Sequence, residues 1–169
     1  MTLREMFPVT PVSDQHVEGL TAEYLHSALL SSAVEQLAED ILASAGVELR
    51  PTREAAEILQ RYVQDLPFVP DPEGWESMLP PSEFAALLLQ GNYPPYADCD
   101  DKALLWAALG RTIGLDATVA FLDLDGDGLI DHAMGAVALP EPGLMLAELT
   151  AQQPLGWLPP YVTMELLVL

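Results

Sequence analysis

Basic residues are scarce in this sequence of 169 residues. It holds 6 Lys and Arg against 26 Asp and Glu, which gives a formal net charge of -20 at pH 7. A surface this negative repels a phosphate backbone, so we expect no binding to nucleic acid. The same charge suits basic partners and divalent cations, and it also suits a protein that works in high salt. Composition alone does not separate these explanations.

Long apolar runs are also absent. No stretch reaches the roughly 18 consecutive apolar residues that a membrane-spanning helix needs. Residues 1–11 contain one Arg and no long apolar run, so no signal peptide is predicted. We therefore expect no membrane association and a location inside the cell. Hydrophobic residues make up 50% of the chain, which is enough to build the core of one domain.

Cys99 is the only cysteine, which excludes an intramolecular disulfide. A lone cysteine is by default a small buried hydrophobic residue. Asp98 is a suitable N-cap, however, and the apolar residues that follow predict a buried helix from Cys99 to about Ile113. The partial positive charge at the start of a helix lowers the pKa of a thiol. Its position therefore makes Cys99 a candidate nucleophile.

Apolar residues at helical spacing predict one long helix or two short helices within residues 21–45. A further helix is predicted at 51–66, where a proline opens the segment and a Leu-Pro pair closes it, and a short one at 82–89. Five prolines within residues 67–81 predict that no regular structure forms there.

The period of the pattern changes from helix to strand after Gly114. Strands are predicted at 117–122, 129–139, 144–149 and 164–169. Helices followed by antiparallel strands predict an α+β fold, with N-terminal helices and the helix of Cys99 packed on an antiparallel β-sheet. Residues 1–14 contain two prolines and no periodicity. They predict an extended N-terminal arm, followed by a single domain at 15–169.

Two polar residues on the predicted strands complete a catalytic pattern. His132 lies early in the second strand and Glu148 near the end of the third. Neighbouring antiparallel strands place such residues side by side. A carboxylate beside His132 would fix the tautomer of the ring, and the imidazole would then act as base for Cys99. The sequence thus predicts a triad of Cys99, His132 and Glu148.

Three aspartates oppose this arrangement, because Asp98, Asp100 and Asp101 surround Cys99 and should raise its pKa through their like charge. A cation has to offset them. His132, Lys102 and a bound metal ion are the candidates.

The segment Asp98-Cys99-Asp100-Asp101, followed by an Ala- and Leu-rich helix and Gly114, resembles the catalytic-helix signature of transglutaminase-like proteins. That superfamily has a papain-like fold with a Cys-His-Asp/Glu triad. The segments 68–74 and 131–133 are similar to the family as well, so the resemblance covers a core of about residues 52–158. Two departures are Ala97, where the family has Gly, and Glu148, where it usually has Asp.

The resemblance implies a thiol enzyme that acts on an amide or peptide bond. This version of the pattern is most similar to transglutaminase-like proteins of phages and prophages and to bacterial calcium-dependent cysteine proteinases, so a cysteine peptidase is the favoured activity. A protein or peptide, basic in view of the acidic surface, would be the substrate. Relatives take a second oxyanion donor from the loop before the cysteine, where Asn92, Tyr93 and Tyr96 lie. For the tyrosines, packing against the nearby prolines is the favoured alternative.

A second hypothesis is a structural or assembly protein, for example of a phage particle, that keeps the fold with little or no catalysis. The predicted arm at 1–14 and the apolar tail at 166–169 would suit docking to assembly partners. The expected location is cytoplasmic or virion-associated.

The triad requires no cofactor, but the sequence contains two candidate calcium sites. The turn before His132 has acids at positions 1, 3, 5 and 9 of a calcium loop and a glycine at position 6. The acids are Asp123, Asp125, Asp127 and Asp131. The flanking strands exclude an EF-hand, so the turn is either a calcium loop at the tip of a hairpin or a polar turn. By resemblance to calcium-dependent relatives, the second site is Asp98 and Asp100.

Overall fold

The computed structural model of the chain describes residues 5–8, 13–141, 143–161 and 163–167. The helices in this part of the chain are α1 (Ser13–Ala28), α2 (Ser32–Ser44), α3 (Arg53–Asp65), α4 (Pro81–Leu89) and α5 (Cys99–Thr112). The strands are β1 (Glu5–Pro8), β2 (Trp75–Met78), β3 (Asp116–Asp123), β4 (His132–Ala138), β5 (Leu144–Ala147) and β6 (Thr163–Leu166). None of the described helices has the length and apolarity needed to cross a bilayer.

Local signals account for the helix starts. The side chain of Ser31 accepts a hydrogen bond from the N–H of Val34 at the start of α2, and Thr52 caps α3 in the same way. Pro81 occupies the first turn of α4, where no backbone N–H is needed. The segment predicted at 21–45 is therefore two helices, because Ser31 caps a new one. The first of them, α1, begins earlier than predicted.

The main sheet has four antiparallel strands in the order β5-β4-β3-β6. Helix α5 packs on β4 and β3, and α1 to α4 each contact α5 as well. The α+β prediction, with helices and a central α5 on an antiparallel sheet, is confirmed.

A second sheet of two strands was not predicted. Strand β2 lies within the proline-rich segment 67–81 and pairs with β1, so Phe7 is opposite Glu76. The expectation that 67–81 lacks regular structure is wrong at β2, because its partner lies far away in the sequence. Part of the predicted arm is thus a strand of the same chain, whereas residues 1–4 and 9–12 lie outside the described residues, as do 168 and 169 of the tail.

A close contact between β4 and α5 fixes the relative position of their ends. Trp106 is fully buried at the centre of α5, and its indole N–H donates to the carbonyl of Ala56 on α3. Gly135 of β4 lies so close to the Trp106 ring that a β-carbon there would overlap with it. Since His132 begins β4 and Cys99 begins α5, this packing sets the distance between the proposed base and nucleophile.

We predict that Gly135→Ala destabilises the protein by about 1–3 kcal/mol, because the added methyl group has to displace the buried Trp106 ring. Denaturant unfolding measures this. The matched control is Gly19→Ala, at an exposed position inside α1 where a β-carbon meets nothing. It should stabilise by about 0.5–1 kcal/mol. Equal free energies of unfolding for Gly135→Ala and the wild type would contradict the proposed packing.

Candidate active site

Cys99 is held at the first position of α5 by contacts on both sides. Just before it, Ala97 and Val69 exchange two backbone hydrogen bonds, of 2.9 and 3.0 Å. Asp98 is the N-cap residue, but its side chain makes no capping hydrogen bond and is left for other contacts. On the other side of Cys99, α5 is buried from Asp100 to Gly110. Cys99 itself is half-buried.

His132 and Glu148 are in direct contact, with 2.8 Å between Nε2 of the imidazole and Oε2 of the carboxylate. Gly135 is opposite Ala147 in the β4–β5 register, so Glu148 follows β5 directly and lies diagonally opposite His132. The second carboxylate oxygen accepts hydrogen bonds of 2.6 Å from both the N–H and the hydroxyl of Thr150. Because Nε2 faces Glu148, Nδ1 is the ring nitrogen left for proton transfer.

Cys99 and His132 line the same cleft, which has a volume of about 200 Å³. Val17 of α1, Phe121 of β3 and Ile130 form an apolar part of its wall. The remaining lining residues include four acids, Glu76, Asp98, Asp100 and Asp131.

Four carboxylates, of which Asp100 is buried and the others are half-buried, crowd one side of the nucleophile. Oxygens of Asp71, Glu76 and Asp98 lie within 4.8 Å of one another, and the same holds for Asp98, Asp100 and the Cys99 sulfur. Asp100 is only 7% exposed, and its oxygens face the side chain of Asp98 with no N–H donor among their neighbours. Burial and the neighbouring acids raise the pKa of Asp100, and burial, Asp98 and Asp71 raise that of Glu76 to about 7. We call Asp71, Glu76, Asp98 and Asp100 the acidic cluster.

The acidic cluster affects the pKa of the Cys99 thiol. Burial, the charge of Asp98 and that of Glu76 together raise the pKa of Cys99 to about 12. Backbone N–H groups of Ala133 and Asp100 act in the opposite direction. On balance, these surroundings disfavour the thiolate. A cation beside the acidic cluster would favour the thiolate.

Lys102 does not supply that cation. It lies one turn after Cys99 and is 1% exposed, and its ammonium group donates to the carbonyl of Leu66 at 2.9 Å. Burial lowers its pKa, while Glu148 and Asp65 raise it. Asp101 also has a structural contact, because its Oδ1 accepts a hydrogen bond of 2.7 Å from the N–H of Leu79.

The three residues expected near the oxyanion do not line the cleft. The hydroxyl of Tyr93 donates to the carbonyl of Pro67 at 2.6 Å, and its ring packs edge-on against Phe84 with 5.6 Å between centroids. Both contacts of Tyr93 are structural, and packing against the prolines of its own loop stays a prediction. Asn92 is exposed and Tyr96 is half-buried.

The acidic turn joins β3 to β4. Carboxylate oxygens of Asp123, Asp125 and Asp127 lie within 4.8 Å of one another. The turn's own N–H groups already bond to these acids and to Asp131: for example, that of Gly126 donates to Asp123 at 2.6 Å. A polar turn explains these bonds without an ion, so calcium binding here stays a prediction. Asp131 differs from the others in that it also lines the cleft.

Glu76 and Asp71 were not among the residues expected at the site. Asp71 lies within the segment that resembles the family signature, which is a weak sign of a role. Glu76 had no local signal, because it reaches the site through β2, and the pairing of β2 with β1 is not visible in the sequence.

The Glu148 carboxylate should make stability depend on pH. Burial acts to raise its pKa, but hydrogen bonds from His132 and Thr150 outweigh burial and lower it from 4.5 to about 2. A lowered folded-state pKa stabilises the native protein above the unfolded pKa, and this gain is lost as the pH falls from 4.5 towards 2. Between about pH 6 and pH 3, the wild type should therefore lose about 2 kcal/mol more unfolding free energy than Glu148→Gln.

Denaturant unfolding at the two pH values measures this difference. Glu165→Gln, at an exposed position on β6, is the control and should follow the wild type. Parallel pH curves for Glu148→Gln and the wild type would contradict the proposed ion pair.

Comparisons with known proteins add little to this geometry. No protein-family model matches the sequence, and a search of curated proteins finds no match either. A search of solved structures finds a likeness to Legionella pneumophila LapG, determined after EGTA treatment. The alignment covers 88% of this chain and 75% of LapG, with a TM-score of 0.49 and 14% sequence identity. The likeness is one of fold alone.

Proposed function

We propose that this protein is a thiol enzyme that acts on an amide or peptide bond, most simply a cysteine peptidase of the transglutaminase-like type. The observation that supports the proposal is the 2.8 Å contact between His132 and Glu148, in a cleft shared with a cysteine at the start of a buried helix. Cys99 is the nucleophile, His132 is the base and Glu148 orients His132.

In the proposed reaction, Nδ1 of His132 takes the proton of the Cys99 thiol, and the sulfur attacks the carbonyl carbon of the substrate. The imidazolium remains paired with Glu148 through Nε2. Backbone N–H groups at the start of α5, including that of Cys99, stabilise the oxyanion. His132 then gives the proton to the leaving amine, which departs and leaves a thioester. Water, deprotonated by His132, hydrolyses the thioester and releases Cys99.

Calcium is the proposed cofactor, held by Asp98 and Asp100. Hard cations with oxygen ligands fit a cluster of carboxylates, and the specific observation in favour is that the two buried oxygens of Asp100 face the carboxyl group of Asp98 and have no N–H donor. Glu76 lies against Asp98 and can add a third carboxylate. When bound, the ion would supply positive charge that offsets the acidic cluster and lowers the pKa of Cys99.

The substrate that we propose is a protein or peptide with basic residues near the scissile bond. Asp131 lies at the edge of the cleft as a further acid, and the net charge of -20 attracts cations over a longer range.

One observation favours the alternative, an assembly protein that keeps the fold without catalysis. The pKa of about 12 for Cys99 is that of an inert thiol. If the protein has only an assembly role, the pKa of Cys99 should stay high in the presence of calcium. If it is an enzyme, calcium should lower this pKa.

Peptide cleavage tests the proposed function. The wild type, incubated with calcium and a library of basic peptides, should release fragments that mass spectrometry detects. Cys99→Ala and His132→Ala should reduce the rate by at least about 1,000-fold, as expected when a member of a catalytic triad is removed. His26→Ala, in the last turn of α1, is the control. Cleavage by Cys99→Ala at the wild-type rate would refute the proposal.

Calorimetric titration with calcium separates the two candidate sites. We expect one binding event in the wild type, an accompanying rise in melting temperature, and loss of both in Asp100→Asn, because that residue supplies buried ligand atoms. Asp125→Asn, on the exposed turn, should bind calcium as the wild type does. Binding that survives Asp100→Asn but disappears in Asp125→Asn would assign the ion to the turn instead.

A further inference from the structure

We propose that Gln64, assisted by Gln60, is a positioning residue that holds Glu148 in contact with His132. Both glutamines lie on α3, outside the cleft, and neither touches the proposed nucleophile or base. The inference rests on the proposed function, because it assigns Gln64 a role in the same triad.

The side-chain amides of Gln60 and Gln64 donate hydrogen bonds to backbone carbonyls of the segment that follows β5. The Nε2 group of Gln64 lies 2.8, 3.0 and 2.9 Å from the carbonyl oxygens of Glu148, Ala151 and Gln153, which share its two N–H donors. The Nε2 group of Gln60 donates to those of Glu148 and Gln153, at 3.1 and 3.2 Å. The carbonyl of Glu148 therefore receives both amides, and the segment is fixed to α3 at the residue that carries the acid.

Burial strengthens these bonds. Gln60 is 2% exposed and Gln64 is 9% exposed, and their bonds to the carbonyl of Glu148 are buried, so that carbonyl has little water as an alternative partner. The bonds to Ala151 and Gln153 are only partly buried. Residues 148–153 form no helix or strand, and the β4–β5 ladder ends at Ala147. The main chain of Glu148 thus depends on the two glutamines for its position.

The same part of α3 also holds α5. Lys102, one turn after Cys99, donates to the carbonyl of Leu66, the C-cap residue of α3. One helix end therefore connects the helix of the nucleophile with the segment of the acid. A shift of Glu148 on this support would move its carboxylate away from Nε2 of His132, which is a small displacement with a large effect on a preorganised site.

The test uses the full chain with Gln64→Met, which keeps the shape of the side chain and removes both N–H donors. The first readout is the proton resonance of the His132 Nε2–H group, which a short bond to a carboxylate moves downfield. The second is the rate at which iodoacetamide modifies Cys99 at neutral pH in the presence of calcium. In Gln64→Met, the resonance should move upfield and the rate should fall by about tenfold. Gln36→Met, at an exposed position on α2, should change neither.

An unchanged His132 resonance in a folded Gln64→Met variant would overturn the inference. If Gln64→Met does not fold, the same measurement is made on Gln60→Met. An upfield shift of the His132 Nε2–H resonance in that variant supports the inference, and a resonance at the wild-type position overturns it. The proposed function fails separately, when His132→Ala modifies with iodoacetamide as fast as the wild type. The resonance then still reports whether Gln64 controls the contact between Glu148 and His132.

Discussion

The packing of β4 against α5 is the constraint on which the site depends. Gly135 lets the strand approach the buried Trp106 ring more closely than any other residue would allow. Cys99 and His132 are the first residues of these two elements, so the contact in the core also fixes the geometry at the cleft. The contact between Gly135 and Trp106 therefore contributes both to the stability of the core and to the spacing of Cys99 and His132.

Electrostatics at the cleft work in two directions. The environment of Glu148 favours its charged form, through His132 and Thr150. The environment of Cys99 disfavours the thiolate, because burial and the acidic cluster add to each other. The buried carboxylate of Asp100, close to other acids, is costly to the folded protein. The calcium ion that we propose at the acidic cluster would reduce this cost and would also favour the thiolate of Cys99.

Much of the fold could be predicted, because its signals are local. The helix beginning at Cys99 follows from Asp98 and the apolar residues after it, and the change of period after Gly114 gives the strands of the main sheet. The juxtaposition of His132 with Glu148 follows from two strands joined by a short turn. What could not be predicted depends on contacts between distant residues. The β1–β2 pairing brings Glu76 to the site, and the bonds of Gln60 and Gln64 span more than 80 residues.

The central claim is that Cys99 is a nucleophile activated by His132, and the pH dependence of its modification by iodoacetamide in the presence of calcium tests this most directly. The account predicts that the rate reaches its plateau well below the pH of roughly 8.5 at which a free thiol titrates, and that His132→Ala moves the midpoint upward. A midpoint at or above that value in the wild type, unchanged in His132→Ala, would contradict it.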